Sequence, residues 1–222
     1  TKLRHLVIVL GDQLDLDASA FDGFDATRDA VWMAEAAEES THVWSSQPRI
    51  AIFLSAMRHF AQALGDAGRP LHYQRLDQGP ATLAASLRAA IAQLQPEALV
   101  MTMPGDARVL ASLRAVAEPA GLALDLREDR HFFATVPEFA AHARGRKQLR
   151  MEYFYREMRR RHAVLMDGDE PVDGQWNFDV DNRKSFGKSG PGAVPARARF
   201  EPDAITGEVI ALVRQRFAGH PG

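Results

Sequence analysis

The chain has 222 residues, 46% of them hydrophobic and 25% charged, the balance of an ordinary globular protein. That composition excludes collagen, a disordered acidic tail and a coiled-coil rod, and the length suffices for one large α/β domain or for about 150 residues plus an extension. A formal net charge of −2 makes the chain as a whole no electrostatic trap for nucleic acid, and the lack of cysteine excludes disulfides, thiolate-bound metal and thiol catalysis within it.

No apolar run approaches the 18 residues of a membrane span. The start, Thr1-Lys2-Leu3, lacks a signal-peptide pattern and reads as part of a cytoplasmic protein.

Residues 3–10 form a nearly continuous apolar run stopped by Gly11, the pattern of a buried parallel strand. Residues 30–36 read as a second strand. Arg49 to Leu64 reads as a helix, with Ile50, Phe53, Leu54, Met57, Phe60, Ala61 and Leu64 at spacings of three and four. Strands follow at 71–76, 98–103 and 122–126, separated by helices at 81–94 and 106–117, with Asp106 as a helix cap. This order predicts a doubly wound, five-stranded parallel Rossmann-like sheet over about residues 1–135. Residues 136–222 read as a helical extension, with helices at 137–144, 147–166 and 203–217 around a loop rich in Gly, Pro and Asp.

Ligands of open α/β sheets bind beyond the carboxyl ends of the strands. The candidates there are Gly11, Asp12 and Gln13 after strand 1, Glu35, Glu39 and His42 after strand 2, and Pro104, Gly105 and Asp106 after strand 4. The spaced glycines of a dinucleotide fingerprint are missing, as are Walker A and Gly-x-Ser-x-Gly sequences. Carboxylates beside a glycine turn suit hydroxyls and ring NH groups better than phosphates. Asp12 also fits a plain turn cap, and Glu35 and Glu39 fit solvated loop charges. The histidines lack metal-ligand spacing, so no metal site is expected.

Residues 144–161 carry eight Arg or Lys and two Glu, a net +6. This stretch fits a phosphate-binding helix interleaved with Tyr153, Phe154 and Tyr155. It fits better a helix that packs an apolar stripe while its arginines pair with nearby carboxylates or face water.

Several blocks, taken together and in order, resemble one family. They are Leu10-Gly11-Asp12-Gln13-Leu14, Leu54 to Ala61, Gly145 to Arg160, Leu165-Met166-Asp167-Gly168, and Trp176-Asn177-Phe178-Asp179-x-Asp181-Asn182-Arg183-Lys184. They resemble the amino-terminal part of the deoxyribodipyrimidine photolyase-related proteins, the bacterial iron–sulfur photolyases and cryptochromes that include the prokaryotic (6-4) photolyases. The resemblance implies a light-harvesting domain holding 6,7-dimethyl-8-ribityllumazine in the strand-end cleft. It implies a partner domain, absent from this chain, that carries FAD and a [4Fe–4S] cluster and contacts damaged DNA. It also implies that this portion has no catalytic residue and is not an active enzyme alone. The parent is expected to be a DNA-repair photolyase or a blue-light receptor.

Carried over by position, Glu39 matches the lumazine-contacting carboxylate, Gly11, Asp12 and Gln13 match the first-strand loop, and Pro104-Gly105 matches the turn after strand 4. The chain departs from the family at Met103, Asp106 and Ala107, where Glu, Glu and Trp are common. It departs again at His42 to Gln47, where an aromatic and two histidines are replaced and Trp44 is the expected compensation. These changes predict an altered or weakened pocket. The alternatives are a stand-alone nucleotide- or flavin-binding module, and a ligand-free interaction domain.

Overall fold

The computed structural model describes residues 2–179 and 185–222. The chain divides into two compact units, Thr1–Asp129 with Glu201–Gly222, and Arg130–Phe200.

The first unit is a parallel sheet of β1 (His5–Ile8), β2 (Asp29–Ala34), β3 (Leu71–Gln74), β4 (Ala98–Thr102) and β5 (Ala123–Arg127). The spatial order is β3-β2-β1-β4-β5, the doubly wound order foreseen from the alternation of strands and helices. Strand residues alternate between the two faces. Val7, Val31 and Met33 join a core with α2 (Gln47–Asp66), while Leu6, Ile8 and Trp32 join a core with α3 (Leu83–Leu94) and α4 (Ala107–Ala117). Both faces are covered, which is why these strands read as apolar runs.

Helix starts follow their caps. Ser46, Thr82 and Asp106 each accept a hydrogen bond from a first-turn backbone N–H of α2, α3 and α4. A short helix, α1 (Ala37–Thr41), interrupts the segment after β2, and a short 3-10 helix lies at Ser19–Phe21. Neither is legible in the periodicity, because each is shorter than two turns.

The second unit holds α5 (Val136–Ala143), α6 (Met151–His162) and a two-stranded hairpin of β6 (Met166–Asp167) and β7 (Glu170–Pro171). Thr135 and Glu138 form a capping box at the start of α5. The helix expected over 147–166 is shorter at both ends. Its last turn closes at Ala163, whose φ is +52°, and the chain then turns into β6. Residues 180–184 of the Trp176 block lie outside the described residues.

The last helix, α7 (Ala204–Arg216), groups with the α/β unit and not with the extension in which the sequence suggested it. Val209, Val213 and the following Phe217 are buried in the α2-side core. Ser55 and Thr206 share a hydrogen bond of 2.8 Å across the two helices. His59 Nε2 lies 2.6 Å from Asp203 Oδ2, and His59 Nδ1 lies 2.7 Å from the Ser55 carbonyl. A carboxylate and a carbonyl both accept, so the ring makes both bonds only as the imidazolium. The His59 bond, and then the backbone N–H of Thr206, hold the Asp203 carboxyl down to about 2. The Asp203 bond raises the His59 pKa above 6.5.

The sign of the pH effect follows. Asp203 contributes above its unfolded value of 3.8, and that contribution is lost as pH falls through about 2. His59 contributes fully below 6.5, and that contribution is lost as pH rises through its raised value. The thermal midpoint of the unaltered chain is expected to exceed that of His59→Gln most between about pH 4 and 6.5. The gap should narrow as pH rises above 6.5 and the raised His59 pKa is passed, read in a series of thermal melts.

Candidate functional site: the strand-end cleft

A cleft of about 310 Å³ opens beyond the carboxyl ends of β1, β2 and β4. Its volume is at the lower end of small-molecule sites, roughly 300–1,000 Å³. Ile50, Phe53, Leu54 and Met57, one stripe of α2, make an apolar wall, with Leu83 and Val109 also lining the cleft. Gly11 lies close against Met57. A Cβ there would come within 2.9 Å of the thioether sulfur, so a larger residue displaces this side chain.

Of the residues singled out in the sequence, Gly11, Asp12, Glu35, Glu39, His42, Pro104 and Asp106 line the cleft. Gln13 and Gly105 do not. Gln13 donates through Nε2 to the Met103 carbonyl at 3.0 Å, tying the β1 loop to the end of β4. Gly105 sits exposed in the turn. Trp44, the expected replacement for the lost aromatic, is not in the lining either; it stacks on His220 with ring centres 4.3 Å apart.

The carboxylates divide into two kinds. Glu35 is 1% exposed and its oxygens are taken. Arg58 Nε donates to Oε1 at 2.7 Å and Arg58 Nη2 to Oε2 at 3.0 Å. Tyr73 Oη donates to Oε1 at 2.6 Å, and the Leu76 amide to Oε2 at 2.8 Å. Burial, then the Glu35 charge, push the Tyr73 phenol above its ordinary range, so it remains a donor. Glu35 therefore joins β2, β3 and α2 while offering little of its carboxylate to a ligand.

Glu39 and Asp106 are exposed at the rim. Arg108 reaches Glu39 with both terminal nitrogens at 3.0 Å, Asp106 at 3.2 Å and Glu38 at 3.4 Å. Its backbone N–H also donates to Asp106, the largest cause of that carboxyl's lowered pKa. The bonds from Arg108 leave lone pairs on Glu39 and Asp106 for a ligand's OH or NH groups. The α2 stripe was legible only as core, since a helix face lining a cleft has the same spacing as one buried in a core.

A larger groove, of about 620 Å³, runs beside α2 and α7 past Ile52, Ala56 and Ile210. It lies away from the strand ends and lacks the convergent carboxylates, so the cleft is the better candidate for a ligand site. Among the described residues, no group of three or more His, Cys, Asp or Glu is placed to hold a metal ion, and no helix is long and apolar enough to cross a membrane.

An open parallel sheet of this order, with helices on both faces and a cleft at its strand ends, defines an α/β domain of the Rossmann-like type. The deoxyribodipyrimidine photo-lyase-related protein family matches residues 7–222, and the chain belongs to that family. It is 39% identical over 223 residues to a (6-4) photolyase of Agrobacterium fabrum. That match takes in 99% of this chain and 43% of the relative, so the chain spans less than half of the relative's length.

Removing Arg58 strands a buried carboxylate, and Arg58→Met is expected to cost about 3–5 kcal/mol in urea unfolding. The double variant Glu35→Met with Arg58→Met should cost clearly less than the two single changes summed, because neither charge is then left unpaired. Arg108→Ala acts on exposed pairs. It should change global stability by less than about 1 kcal/mol while speeding amide exchange in α1.

Proposed function

We propose that this chain is the amino-terminal light-harvesting portion of a photolyase-related flavoprotein, with 6,7-dimethyl-8-ribityllumazine held in the strand-end cleft. The observation that carries the reading is the cleft itself: acceptors at the rim and an apolar α2 stripe beneath, in a chain of this family. The donor set fits the group. Glu39, Asp12 and Asp106 supply acceptors for ribityl hydroxyls and ring NH groups, while Phe53, Leu54 and Met57 supply a surface for the ring and exclude water. When bound, the lumazine supplies blue or near-ultraviolet absorption and passes its excitation to a flavin.

The chain's own work in this reading is positional. Glu35 fixes α2 against the sheet, α2 presents the apolar wall, and Arg108 fixes Glu39 at the rim. No bond is made or broken here, so no catalytic residue is assigned. FAD, the [4Fe–4S] cluster and the contact with damaged DNA belong to a carboxyl-terminal domain of the parent; a four-cysteine cluster needs thiolates that this chain does not contain. The second unit supports such a partner domain. Phe132, Phe133, Leu149, Met151 and Leu165 are each more than half exposed there, apolar side chains open to contact with a further domain. The parent acts in DNA repair, as the name of its Agrobacterium relative suggests.

Titration of the chain with the lumazine, followed by the ligand's fluorescence, tests the reading. Micromolar or tighter binding is expected (about −8 kcal/mol or better), weakened about tenfold in Glu39→Ala by loss of charged hydrogen bonds. Adenine nucleotides, run alongside, should bind far more weakly, since the acidic rim repels phosphate. Nucleotide binding without lumazine binding would favour a stand-alone nucleotide module.

A further inference from the structure

The rim segment between α1 and α2 owes its place to the far end of the chain. His42, Val43 and Ser45 line the cleft, yet residues 43–46 belong to no helix or strand. Among the described residues, the long-range hydrogen bonds of segment 43–47 run to the tail after α7. The His220 ring bonds the Ser45 carbonyl through Nδ1 at 2.8 Å; a carbonyl only accepts, so Nδ1 carries the proton. The Gln47 amide donates to the Pro221 carbonyl at 2.7 Å, and Gln47 Nε2 donates to the His220 carbonyl at 3.0 Å. The His220 ring lies almost parallel to Trp44, at 18°.

The tail is itself anchored. Phe217 is 5% exposed and buried in the α2-side core, and its amide donates to Val213 of α7. The His220 amide then donates to the Phe217 carbonyl at 2.9 Å, turning the chain back toward α2. The Phe217 ring meets the His220 ring edge-on at 5.3 Å. One buried side chain therefore carries a strap whose other end grips the rim.

We propose that the tail from Phe217 to Pro221 is a positioning element of the cleft, with His220 as the residue through which it holds the rim segment 42–45 in its ligand-accepting place. The inference rests on the reading of the cleft as a ligand site. A loop ordered before the ligand arrives loses less conformational entropy on binding, so a held rim binds more tightly than a free one. The coupling is reciprocal, and a ligand in the cleft must also secure the tail.

Three variants separate the contacts. His220→Ala removes both the hydrogen bond and the stack, His220→Asn retains a donor, and His220→Phe retains a ring. Amide exchange of residues 42–47, read by mass spectrometry, is expected to speed up about tenfold in His220→Ala. Lumazine affinity should fall about three- to tenfold in the same variant. Exchange in α3 and β4 should not change. His220→Asn should recover most of the affinity, which a general loss of stability would not allow.

Unchanged exchange at the rim in His220→Ala would overturn the proposal. So would faster exchange with unaltered lumazine affinity, since the tail would then hold a segment the ligand does not use. Should the unaltered chain fail to bind the lumazine, the antenna reading falls, and the exchange result still decides whether the tail holds the rim.

Discussion

The buried carboxylate of Glu35 is the constraint on which the cleft depends. It stands at the end of β2, where the chain leaves the sheet, and collects donors from α2, from β3 and from the turn beyond β3. Its partner Arg58 also lies 3.5 Å from Glu208 of α7, and Glu208 pairs in turn with Arg75. The sheet, the helix above it and the last helix of the unit are thus joined through one alternating line of charges. Such a buried pair adds little net stability over an apolar isostere, because desolvation offsets much of the attraction. What it supplies here is direction. A hydrophobic helix face can slide or rotate on a sheet at small cost, whereas a two-toothed guanidinium–carboxylate pair has one good geometry. Fixing Arg58 fixes the rotation of α2, and with it the stripe from Ile50 to Met57 that forms the cleft wall.

The same logic explains why carboxylates so close in sequence have different jobs. Glu35 follows a central strand and is sealed beneath α2, so its charge must be met in full by protein donors. Glu38 and Glu39 sit on the short α1 in contact with solvent, where one arginine suffices and water or a ligand can take the remaining lone pairs. Arg108 belongs to the first turn of α4, and its own backbone N–H is capped by Asp106. The rim is therefore a cross-link between the loops after β2 and β4. Its strength depends on salt far more than that of the Glu35 pair.

Much of the fold could be read from the sequence because its signals are local. Apolar runs of strand length, helical spacing from Ile50 to Leu64 and the cap at Asp106 each follow from nearby residues. The strand-end segments followed from the expected topology, and the structure brings seven of the nine residues named there to one cleft. What could not be read depends on contacts between distant residues. Nothing near Glu35 distinguishes a buried, fourfold-bonded carboxylate from a loop charge; the distinction comes from Arg58, Tyr73 and the Leu76 amide. Nothing near Trp44 predicts His220 as its partner. The placement of α7 on α2 depends on Val209, Val213 and Phe217, which alone show only that the helix has an apolar side.

The basic helix α6 shows how the fold disposes of a charge run. Arg156 pairs with Glu152 one turn earlier, and Arg161 reaches Glu138 of α5 at 2.9 Å and Glu157 at 3.6 Å. Arg159 is 6% exposed and gives its donors to the Val164 and Leu165 carbonyls, closing the turn after the helix. Arg156, Arg159 and Arg160 also gather over the Trp176 ring, at 5.3, 5.2 and 4.6 Å from its centre. A phosphate-binding helix keeps its guanidinium groups free and pointed at one surface. Here several are committed to carboxylates, carbonyls and a ring inside the same unit. The net charge of the stretch therefore overstates what it offers an anion. It is better understood as the means by which a small unit with few buried apolar side chains holds its helices, its hairpin and Trp176 together.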